Sequence, residues 1–152
     1  MNISNTLVCI TAGTLGLSAL VFPSQVRSES CEASIRGAKE RIERGRNITV
    51  MSDTVDGSQT YPNHPNGRPR IVTFRFQGKA ADSVMESPAF QKAIASESIK
   101  SCGSVGAVTF GRNQTDWSIT LGLMSNGSIE KFECVEPGPR KNRLSWGQQF
   151  CL

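Results

Sequence analysis

Apolar residues recur along this chain at two spacings, and each spacing predicts its own kind of element. In residues 29–44, Cys31, Ile35, Ala38 and Ile42 follow one another at intervals of four, three and four. That is one face of a helix. Ser28 is placed to cap its start, Glu29 and Glu32 suit its first turn, Arg41 and Arg44 its last, and Gly45 can close it. The remaining charges pair four apart along the same helix: Glu32–Arg36, Arg36–Glu40, Lys39–Glu43 and Glu40–Arg44. They read as a solvated face.

The other spacing is alternation. Residues 47–53 alternate weakly through Ile48 and Val50, a strand. The loop VDGSQTYPNHPNGRPR follows, too rich in Pro, Asn and Gly for regular structure. Residues 71–76 then put Val72, Phe74 and Phe76 on one face and Thr73 and Arg75 on the other. A second helical region covers 82–102. Asp82 caps a first turn through Val84 and Met85, and Ser87-Pro88 restarts the helix. Phe90, Ala93, Ile94, Ile99 and Cys102 supply its apolar face, and Gly103 ends it.

The last third reads as a β-meander. Val105–Phe110 is one strand. After the loop Gly111–Asp116, Trp117, Ile119, Leu121 and Leu123 alternate with Ser118, Thr120 and Gly122, which predicts an inward Trp117. Asn126-Gly127 signals a two-residue hairpin with both turn positions at positive φ. Residues 128–135 form the next strand with Phe132 and Cys134 inward, and Trp146–Cys151 adds a short last one. The fold class is α+β: an antiparallel β-meander sheet with two helices packed on one face.

Composition changes little in this picture, but the N-terminus changes the compartment. Residues 7–22 carry no charge, and as a helix they span about 24 Å, short of the ~30 Å hydrocarbon core of a membrane. Pro23 breaks the run, and Val26 and Ser28 stand where a signal peptidase wants small residues. The expectation is a cleaved signal peptide over 1–28 and a single domain over 29–152. Export implies periplasm, thylakoid lumen or the extracellular medium, with no membrane attachment after cleavage.

Cys9 leaves with that segment, and Cys31, Cys102, Cys134 and Cys151 remain. An even number in an exported chain predicts two disulfides. With no CxxC or HxxxH pair, and His64 as the single histidine, the spacings give no zinc site. The meander places Cys102 and Cys134 at opposite ends of the sheet, about 20 Å apart, while a disulfide needs Cα atoms within about 7 Å. Two pairings survive: Cys31–Cys102 with Cys134–Cys151, or Cys31–Cys134 with Cys102–Cys151. The first is favoured because it pins the two helices together.

The stretch SPAFQKAIASESIKSCGSVGAVTFGRNQTDW, continued through GLMSNGSIEKFECVEPG, resembles small exported cyanobacterial proteins of unknown function. The similarity covers about residues 70–152. It implies an extracytoplasmic location and brings no activity or site residue with it.

Chemistry-bearing groups are sparse. His64, with Tyr61, Arg68 and Arg70 near it in sequence, sits in a loop that can hold an anion or a partner. No Ser stands in a G-x-S-x-G setting, so a triad is not indicated. Arg112, Asp116 and Trp117 flank the loop GRNQTD, and Trp beside Arg is a common binding pair. Arg140, Lys141 and Arg143 form the densest basic group. Glu130, Glu133 and Glu136 fall too far out of phase for acid–base work. The net charge is +4, spread along the chain, which does not point to nucleic acid. No catalytic residue, metal or cofactor is expected. The leading expectation is an exported binding or interaction module, non-enzymatic, meeting another extracytoplasmic protein or an anionic surface. Its alternatives are an inhibitor of an extracytoplasmic hydrolase, using the 54–70 or 136–146 loop, and a small hydrolase with an unrecognised site.

Overall fold

The structure is a computed structural model. It describes the backbone of residues 23–138 and 143–150, and the side chains of 30–138 and 143–150. Helix α1 (Pro23–Glu43) begins earlier than its apolar spacing suggests, so Ser28 lies inside it rather than capping it. Its predicted face holds: Ala38 and Ile42 are fully buried, and Cys31 and Ile35 pack beside them. The charged face departs from expectation. None of the four predicted pairs forms an ion pair; Arg41 instead reaches Glu97 on a neighbouring helix at 2.9 Å. Glu43 accepts the backbone N–H of Val50 at 2.8 Å. Arg46 donates to the carbonyls of Arg41 and Ile42, closing the helix end, and lies 4.7 Å from the centre of the Phe90 ring.

Five strands form the main sheet in chain order: β1 (Thr49–Asp56), β2 (Arg70–Gln77), β3 (Val105–Arg112), β4 (Ser118–Leu123) and β5 (Ile129–Lys131). Three of the four pairings are antiparallel. The exception is β2–β3, which is parallel. The wholly antiparallel meander is thus corrected: it is confined to β3–β5. The cause is α2 (Ala81–Met85) and α3 (Pro88–Ser101), which carry the chain back across the sheet before β3 begins. These are two helices where one interrupted region was expected, and Asp82 does not cap α2.

Two further predictions change. The strand expected over 128–135 breaks at Phe132. Phe132 is buried as predicted, but Cys134 lies exposed on β6 (Glu133–Val135). β6 pairs in parallel with β7 (Gln148–Phe150) as a separate ribbon. The Asn126-Gly127 turn is a three-residue one: Met124 N–H reaches Ser128 O, and only Gly127, at φ 83°, takes positive φ. This is a type I turn followed by a left-handed residue, which Gly accommodates.

One complete disulfide is seen among the described residues, not the two expected. Cys31–Cys102 joins α1 to the end of α3 with Cα atoms 4.7 Å apart. Cys134 is also in the disulfide state, and Cys151, its expected partner, lies outside the described residues. No helix among the described residues is long and apolar enough to cross a membrane.

Alternation in the strands separates two cores. Val50, Val72, Phe74, Phe76, Val108, Phe110 and Leu121 face the three helices and form the larger one. Ile71 and Ala107 face the other way, under Tyr61, Phe132 and Leu144. Tyr61, Phe132 and Trp146 meet edge-to-face, their ring centres 5.1–5.7 Å apart. The rings come this close because Gly106 and Gly122 have no side chain. A Cβ on Gly122 would collide with the Phe132 ring, and one on Gly106 with the Trp146 indole.

Candidate functional site

The second core covers only part of its sheet face. Strand register sorts that face into three rows. Ile71, Ala107 and Gly122 form the covered row, with Val55 exposed at its end; Asp53, Thr73, Thr109 and Thr120 the middle one; Met51, Arg75, Gly111 and Ser118 the uncovered one. Beyond the cover an open groove of about 380 Å³ remains, floored by Thr73, Arg75, Thr109 and Gly111 and walled by residues 112–118.

Each part of the groove has a local cause. The wall is the β3–β4 turn, closed by Arg112 N–H on Trp117 O at 3.1 Å and anchored to β2 by Asn113 N–H on Phe76 O at 2.8 Å. Gln114 takes positive φ (61°) to complete it. The Thr115 hydroxyl donates to Arg112 O and accepts from Trp117 N–H. In the floor, the Thr109 and Thr120 hydroxyls share a hydrogen bond of 2.9 Å. Gln149 supports β4 along its edge. Its carboxamide accepts Thr120 N–H at 2.9 Å and donates to Ser118 O at 3.3 Å, doing for the start of β4 what a neighbouring strand would do.

The groove carries mixed polarity. Arg112 Nε pairs with Asp82 at 2.7 Å. Arg75 is exposed and Asp116 stands on the wall, also exposed. Trp117 is 40% exposed. The inward Trp117 read from alternation is therefore corrected: it precedes β4 by one residue and belongs to the turn, where the sheet no longer dictates its face.

The structure places the sequence's other candidates elsewhere. Arg68 is turned inward, its guanidinium donating to Ile99 O, Cys102 O and Val105 O at 2.8–3.2 Å. It closes the end of α3 beside the disulfide. His64 is half-buried, with Nδ1 2.9 Å from Pro65 O. Arg70 is exposed where β2 starts, and Arg143 is exposed near the second core. Arg140 and Lys141 lie outside the described residues. Glu130, Glu133 and Glu136 are all exposed. Of the candidates among the described residues, the groove brings together Arg112, Asp116 and Trp117. Its floor residues gave no signal beyond being the polar members of alternating strands.

The loop 57–69 folds down onto the second core instead of standing clear. Tyr61 donates its hydroxyl to Gln148 O at 3.0 Å, and burial raises its pKa. Asn63 accepts Trp146 N–H, and Gly57 N–H on Pro69 O closes the loop's base. Asp56, at the loop's edge, has its carboxyl pKa lowered chiefly by the backbone N–H of Ser58. Among the described residues no group of three His, Cys, Asp or Glu side chains is placed to hold a metal ion. No family model, curated protein or solved structure matches the chain.

Proposed function

We propose that this protein is an exported, disulfide-bonded binding module whose recognition surface is the groove over Thr73, Arg75, Thr109 and Gly111. One observation carries the reading: a sheet face covered by aromatic packing over one part stays open over the rest, and a large apolar side chain, Trp117, is left exposed at the opening. Concave sites with a few convergent polar groups are where small ligands bind, typically at about 300–1,000 Å³. The lining favours holding over reacting. It offers hydroxyls, carboxamides, guanidinium groups and a lone carboxylate, without the imidazole or thiol that would activate a nucleophile. Export is supported by the uncharged run at 7–22 and by the Cys31–Cys102 bond, which suits an oxidising compartment.

The test is a small-fragment titration followed by backbone amide shifts. Saturable shifts are expected at Thr73, Thr109 and residues 111–118. Shifts gathered around the 57–69 loop, or no saturable shifts in the groove, would reject the reading.

A further inference from the structure

Taking the groove as the binding surface, we infer that its ligand is a neutral sugar ring within a saccharide. Charge balance comes first. Among the residues that line the groove, Arg75 is answered by Asp116 on the wall, and the guanidinium of Arg112 is already bonded to Asp82 of α2. A ligand with net charge of either sign finds no surplus of the opposite sign there, whereas a neutral one meets both donors and acceptors.

The second argument is the kind of polar group. A sugar hydroxyl both donates and accepts, so it needs partners of both kinds at short spacing. Thr73, Thr109 and Ser118 bring hydroxyls, Asn113 and Gln114 carboxamides, Arg75 a donor-only fork and Asp116 an acceptor-only carboxylate. Side chains in register on neighbouring strands stand about 5 Å apart, a separation comparable to the width of a pyranose ring.

Trp117 supplies the third. One face of a pyranose is a patch of C–H groups, which packs on an aromatic ring through dispersion and removal of water. Trp117, 40% exposed and among the residues lining the groove, meets that need. Gly111, opposite Arg75 in the register, deepens the floor. A Cβ there would have a single near neighbour, Trp117 O at 3.8 Å, so the space is open.

The experiment titrates the full chain with maltose, cellobiose and N,N′-diacetylchitobiose, and in parallel with galacturonate and inorganic phosphate. The readouts are amide shifts and the two indole N–H signals. At least one neutral disaccharide is expected to move Gly111, Ser118 and the Trp117 indole saturably. The Trp146 indole should stay fixed, since its Nε1 donates to Leu123 O at 2.8 Å within the second core. Trp117→Ala should weaken binding by about tenfold or more, and Trp117→Phe by less. Binding of galacturonate or phosphate in preference to the neutral sugars would overturn the inference. So would a groove that answers other fragments but none of the disaccharides, an outcome that leaves the binding-module reading standing. A groove that answers nothing would remove both.

Discussion

At the scale of single residues, several of the contacts that hold the fold are side chains bonding to backbone outside their own element. Gln149 completes the start of β4, Arg68 caps α3, and Gln91, buried at 2% exposure, donates to Val84 O and Met85 O. Sequence reading had no access to these. A Gln or Arg reaching a carbonyl many residues away leaves no periodicity, and Arg68 looks from its Pro-rich surroundings like a free cation. Gln149 gives the sharpest test. Gln149→Leu keeps the approximate volume but strands Thr120 N–H and Ser118 O. Thr120 is buried, and leaving a buried N–H unpaired costs about 1–3 kcal/mol. The urea midpoint should fall at an unchanged slope, and groove amides should shift in the absence of ligand.

At the scale of elements, what was legible is what alternation encodes. Val72, Phe74 and Phe76 were placed on one face, and the α1 stripe from Cys31 to Ile42 was found, because burial imposes a period on each. Strand direction has no such imprint. The parallel β2–β3 pairing follows from the length of the α2–α3 crossover, a signal carried by spacing between strands and not by the strands themselves. Trp117 shows the same limit at an element's end, where an apolar residue in phase with a strand lies outside it.

The disulfide links α1 and α3, whose other ties include the exposed Arg41–Glu97 pair. An exposed pair of this kind contributes little. The bond spans a sequence separation of 71, for which restriction of the unfolded chain gives about 4 kcal/mol. Replacing Cys31 and Cys102 together by Ala should lower stability by roughly that amount in chemical denaturation, while the β3–β4 turn amides keep their native shifts.

At the scale of the molecule, one sheet is packed differently on its two faces. The helical side is closed by apolar packing from α1, α2 and α3. On the other side Tyr61, Phe132 and Trp146 cover one end and stop short of the Thr73–Arg75–Gly111 region. On this account Arg75 and Trp117 are spare to folding and necessary to binding. The direct measurement is the fragment titration repeated on Arg75→Ala/Trp117→Ala, read by amide shifts. The account predicts a native-like spectrum with no saturable response in the groove. A spectrum that has lost its native dispersion, or a groove response as strong as in the unaltered protein, would contradict it.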